Sequence, residues 1–156
     1  MVRRLQDEIK QTRPFPSLEE EVLIGLARTA DAVQRGFVSV FKTVGLSPTQ
    51  YNVLRILRGA GGPGLSCGDI AERMVTRDPD LTRLLDRLES RHLITRARDG
   101  EDRRVVTTRI TQVGLALLEE VGAPLEAEQR RLLGHMGEER LRALAGLLDE
   151  ARSIPE

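Results

Sequence analysis

Five polar residues between positions 77 and 87 carry the densest recognisable chemistry in the sequence: Arg77, Asp80, Thr82, Arg83 and Arg87. A guanidinium donates two parallel hydrogen bonds to a phosphate or to the O6 and N7 acceptors of guanine, and a threonine hydroxyl contacts a base edge. Leucines at 81, 84, 85 and 88 recur at helical spacing, so a helix here turns its polar residues away from the leucine side. Held from behind, such a helix has the width that a DNA major groove accepts. Thr82 and Arg83, in its first turn, would then face base edges, and Arg77 and Arg87 would face phosphates. Asp80 has three readings: it accepts from a cytosine amine, orients Arg83, or favours the helix N-terminus through the dipole. The competing reading is an ordinary solvated face laced with Arg–Asp pairs.

The elements that must position this helix are legible from caps and periodicity. Residues 1–12 predict a brief amphipathic helix through Val2, Leu5 and Ile9, broken by Pro14 and Pro16. Ser17 and Glu20 form a capping box opening a long helix that ends at Gly45. Ser47, Pro48 and Gln50 repeat that logic for a helix to about Arg58, and residues 59–64, GAGGPG, read as a loop. Ser66 and Asp69 cap a short helix to roughly Met74, and Asp78 before Pro79 predicts the start of the arginine-bearing helix, which stops near Ser90. Strands are predicted over 93–98 and 103–109 around a turn of Asp99, Gly100 and Glu101. Arginines of this hairpin, Arg98 and Arg103 with Arg96, could reach the nucleic-acid backbone. Thr111 caps a helix that Pro124 kinks rather than ends, and a last helix spans 138 to about 152, with Leu141, Leu144, Ala145 and Leu148 facing inward. The order is α-α-α-α-β-β-α-α after the brief first helix: mainly α, a winged helix-turn-helix with a small β wing.

Composition bounds the rest. The formal net charge is zero, yet residues 75–109 hold nine arginines against seven carboxylates. Only Lys10 and Lys42 are lysines, a bias that suits bidentate contacts and equally suits a GC-rich genome. One cysteine excludes an intrachain disulfide framework and a thiolate-rich metal cluster, and His92 and His135 lie far apart, so no metal site is expected. Cys67, at a helix start, reads as a small, partly buried side chain or as a redox sensor. No apolar run approaches membrane-spanning length and no signal-type segment opens the chain, so a cytoplasmic protein is expected. No nucleophile, base and orienting group fall in a pattern, and the 59–64 loop lacks the lysine and hydroxyl of a phosphate cradle. Neither an enzyme nor a cofactor is predicted. The terminal helices carry more Leu and Val than one small core encloses, and a two-fold dimer would cover them.

Three segments in order resemble the MarR family of bacterial transcriptional regulators: LSPTQYNVLRIL at Leu46 to Leu57, DLTRLLDRLESRHLITR at Asp80 to Arg96, and DRRVVTTRITQVG at Asp102 to Gly114. The resemblance implies a recognition helix over 78–89, a wing over 93–109 and a homodimer through terminal helices, with residues 1–45 and 111–156 for dimerisation and 46–110 for DNA. It further implies a ligand-responsive repressor on a palindromic double-stranded DNA operator, with a small aromatic or phenolic effector. By the same match Asp102 and Arg104 stabilise the wing as a pair, and Arg103 is freer to approach phosphate. Glu101 stands where some relatives carry arginine, which weighs against deep wing insertion. Phe37 and Tyr51 are candidates for an effector cleft, though core packing explains both as readily. The alternative function is a winged-helix protein-interaction module without DNA binding, which the neutral charge and acidic wing tip favour.

Overall fold

The computed structural model describes residues 4–98 and 105–154. The chain divides into two units, residues 1–36 and 37–156, and the long helix α2 (Leu18–Thr43) passes from one to the other.

In the first unit the opening helix is a single turn, α1 (Leu5–Glu8), shorter than the sequence suggests. The Ser17 hydroxyl accepts from the Glu20 N–H at 3.2 Å, capping α2 with one of the two bonds of the expected box. None of the described residues of this unit is buried, and Leu18 and Leu23 of α2 are 72% and 66% exposed.

The second unit holds the core. Helix α3 (Pro48–Ala60) opens with a complete capping box, Ser47 Oγ accepting from Gln50 N and Gln50 returning the bond. It runs two residues beyond Arg58, to Ala60, with Gly61 as its C-cap, and buries Asn52, Val53, Leu54, Ile56 and Leu57. Ser66 and Asp69 build the second box, on α4 (Cys67–Arg73). Helix α5 (Leu81–Ser90) follows, then strand β2 (Ile94–Ala97), strand β3 (Thr107–Ile110), and α6 (Gln112–Leu133), capped by Thr111 Oγ1 on Gly114 N at 3.1 Å. A 3-10 turn (Gly134–Met136) leads to α7 (Glu138–Arg152).

The sheet has a third strand that sequence patterning did not reveal. The two-residue β1 (Leu65–Ser66) pairs antiparallel with β3, giving the order β1-β3-β2. Too short for an alternating pattern, β1 depends on Gly64, whose φ is +73° and whose hypothetical Cβ would lie 2.5 Å from the Thr108 carbonyl oxygen. The hairpin strands are shorter than predicted, with Ala97 opposite Thr107 as the last described pair.

Phe41, the α3 and α5 aliphatics, Ile70, Leu93, Ile94, Leu118, Val121 and Leu125 make one contiguous core. Gly114 lets the start of α6 approach the sheet, because a Cβ there would sit 2.4 Å from the Leu93 carbonyl oxygen. Helix α6 continues through Pro124. The expectation for α7 is corrected: it has no buried residue, Leu141, Leu144 and Leu148 are only half-buried, and Ala145 is exposed. An amphipathic helix is covered only where something packs on its apolar side, and within one chain that side of α7 lacks full cover.

Candidate nucleic-acid interface

Helix α5 is held as its spacing requires. Leu81, Leu84, Leu85 and Leu88 are buried, each stabilising the fold by about 2 kcal/mol relative to exposure. Thr82, Arg83, Asp86 and Arg87 are exposed on the opposite side.

Its start differs from expectation. Pro79 is not the first helical residue: Asp80 is the N-cap and Leu81 begins the helix. Asp78, whose carboxylate accepts from Asp80 N at 2.9 Å, closes a turn on the chain ahead instead of capping. Asp80 makes no side-chain cap bond and approaches Arg83 Nε at 3.4 Å. Of the three readings of Asp80, the geometry matches orientation of Arg83, whose side chain stays 75% exposed. Thr82 and Arg83 remain in the first turn. Among the described residues, the exposed side chains of Arg77 and Arg87 have no ion-pair partner. Arg83 and Arg87 also line an open cleft of about 150 Å³ with Ser47, Thr49 and Gln50 of the α3 start and with Asp78 and Asp80.

Several side chains that position α5 escaped the sequence reading. Buried Asn52 on α3 accepts the Val75 N–H at 2.9 Å, fastening the turn between α4 and α5. A polar residue four positions before inward-facing Ile56 was the available signal. Arg91, just after α5, donates to the Gly45 and Val44 carbonyls at 2.6 and 3.3 Å, binding the helix end to the end of α2. Those carbonyls lie just past the C-terminus of α2, where a cation is favoured. Arg109 donates to the Gly62 carbonyl at 2.9 Å and fixes the glycine loop.

Arg96 is corrected as a free wing cation. It donates to Glu89 Oε2 through Nε and Nη2 at 2.9 and 2.6 Å and to Asp86 at 2.5 Å, with its side chain only 22% exposed. The Glu89 hydrogen bond chiefly raises its pKa above the ordinary guanidinium value; burial opposes this and Asp86 adds to it. Arg96 therefore ties β2 to α5. Arg98 is exposed past the end of β2, whereas Arg103, Asp102, Arg104 and the turn at 99–101 lie outside the described residues.

Tyr51 stacks on buried Phe41 at 4.4 Å between ring centroids, and Phe37 lies 6.1 Å from Phe41, so both candidate cleft residues rest against the core. His92 is an exposed turn residue at φ 57°, its carbonyl accepting from Thr111 Oγ1. Cys67 is exposed, contrary to the partly buried reading; it is the first residue of α4, and Ile70 is the buried residue of that helix. Among the described residues no group of His, Cys, Asp or Glu is arranged to hold a metal, and no helix is long and apolar enough to cross a membrane.

Comparison with known proteins decides the lineage. The model of the MarR family matches residues 46–106, the span from α3 to the start of the returning wing strand. The HTH-type transcriptional repressor MdtR of Bacillus subtilis (strain 168) is 32% identical over 80% of this chain and 79% of its own. The chain belongs to the MarR family. Among solved structures, a MarR transcription factor from Planctomyces limnophilus is 38% identical, with a TM-score of 0.68 over 87% of this chain and 98% of that one. The repressor CouR, solved bound to a 23-mer DNA duplex, is 27% identical with a TM-score of 0.78 over 91% and 99%. This MarR-family chain is a DNA-binding transcriptional regulator, not an enzyme, and the protein-interaction alternative falls with that result.

Proposed function

We propose that α5 enters the major groove with Thr82 and Arg83 on base edges and Arg77 and Arg87 on phosphates, Asp80 orienting Arg83. The observation that carries this is the two-sided helix: four leucines hidden, the hydroxyl and guanidinium groups open to solvent. In this reading residues 46–110 bind DNA. Residues 1–45 and 111–156 join two copies, so that paired recognition helices meet an inverted repeat about one turn of DNA apart. The exposed leucines of α2 and the half-covered α7 support that pairing. Arg98 and Arg103 approach the flanking backbone, with Asp102 and Arg104 bracing the wing. The protein acts as a repressor, and a small aromatic or phenolic effector seated near Phe37 and Tyr51 releases it by changing the spacing of the two helices.

The test is Arg83→Ala against the duplex that wild-type protein selects from a random-sequence library and against a scrambled duplex. Specific affinity should fall at least about tenfold, within the 1–3 kcal/mol range of one bidentate base contact. Non-specific affinity should stay within about twofold, because it rests on phosphates. Equal losses on both duplexes would remove Arg83 from base reading.

A further inference from the structure

We infer that Asn52 is a positioning residue for DNA recognition, acting from the core through the turn that precedes α5. Asn52 is 8% exposed, surrounded along α3 by Val53, Leu54, Ile56 and Leu57, and a polar amide is costly there unless it is bonded. Its Oδ1 accepts the N–H of Val75, 23 positions later and directly after Met74, which ends α4. The Val75 side chain itself is 80% exposed, so no packing of its own holds this residue in place.

Buried Leu81 holds the start of α5 by packing, which is not directional, and the other polar anchors there are weak, so the Asn52 bond sets where the preceding turn leads in. The N-cap of α5 makes no side-chain bond, and the Asp80–Arg83 pair is solvated. Between Val75 and Leu81 the chain carries Arg77, and Asp78 bonds only within the same turn. The amide of Asn52 thus supplies a fixed point in the core from which Arg77, Thr82 and Arg83 are aimed. A misplacement of recognition groups costs specific contacts first, since base contacts demand geometry that phosphate contacts do not.

This inference rests on α5 being the reading helix, and the experiment separates the two. Asn52→Leu keeps the size and removes the acceptor; Asn52→Asp keeps an acceptor at the same place. Each variant is measured against the selected duplex and the scrambled duplex at one salt concentration, with amide hydrogen exchange at Val75. Asn52→Leu should lose about tenfold in specific affinity, the scale of one broken buried hydrogen bond. Its non-specific affinity should stay within about twofold, and Val75 protection should disappear. Asn52→Asp, which keeps the acceptor but brings a charge into a buried site, should restore Val75 protection and part of the specific affinity. Wild-type specific affinity in Asn52→Leu despite lost Val75 protection would overturn the inference while leaving α5 as the reader. Parallel losses on both duplexes would also overturn it, marking Asn52 as merely structural. Failure of wild-type protein to select any duplex would overturn the reading of α5 itself, and this inference with it.

Discussion

Arg96 shows how a single cation can be mistaken for a nucleic-acid contact. In sequence it is one of several arginines around the hairpin; in the fold it satisfies Glu89 and Asp86 on α5 and its own N–H donates to Glu89 Oε1 at 3.1 Å. Arg96 and Glu89 are partly withdrawn from water while Asp86 stays exposed, so removing the cation leaves Glu89 uncompensated. Arg96→Ala should destabilise the protein by about 2 kcal/mol in urea unfolding, the range of hydrogen bonds to charged groups. Arg96→Lys should recover only part of that, because an ammonium lacks the planar fork. Unchanged stability in Arg96→Ala would reduce the network to a surface ion pair.

At the scale of elements, the caps are the best-read features because each lies within three residues of its partner. The Ser47 and Ser66 boxes and the Thr111 cap are where the residue types place them. The start of α5 is the exception: Asp78 and Pro79 have the right types, but Asp78 spends its carboxylate on Asp80 N. The Ser66–Asp69 box also has a pH signature. The Ser66 hydroxyl, then the Ser66 backbone N–H, hold the Asp69 carboxyl below its ordinary pKa. A carboxyl with a lower folded than unfolded pKa contributes stability above the unfolded value, and that contribution disappears as pH falls through the folded one. Asp69→Asn should therefore be less stable than wild type at neutral pH and should converge with it in strong acid, as thermal unfolding across that range would show. A constant difference at every pH would mean that charge plays no part in the cap.

For the whole molecule the decisive feature is what one chain leaves open. The first unit buries no described residue, and α7 buries none. Exposed Leu18, Val22 and Leu23 on α2, with Leu147 on α7, are apolar surface in need of cover. If a second copy supplies it, Leu23→Glu should raise the dimer dissociation constant at least about thirtyfold, since burial of one leucine is worth about 2 kcal/mol. Sedimentation velocity over a dilution series would measure this, and unaltered self-association would remove Leu23 from the interface. Zero net charge does not count against a DNA partner, because contact depends on which groups are presented locally, and Arg77, Arg83 and Arg87 are all exposed on α5 and its preceding turn.

Sequence alone determined the helices, their caps except at the start of α5, the leucine side of α5 and hence which of its residues face solvent. Those properties depend on neighbours three or four positions apart, a range that residue types and spacing encode directly. The tertiary structure decided the long-range bonds: Asn52 to Val75 across 23 positions and Arg91 to Gly45 across 46, on either side of α5, and Arg109 to Gly62 across 47, at the glycine loop. It also added β1 to the sheet and turned Arg96 from a free cation into a brace. A residue's hydrogen-bonding capacity is written in its type. Its partner is chosen by where packing brings distant backbone, and no local pattern carries that information.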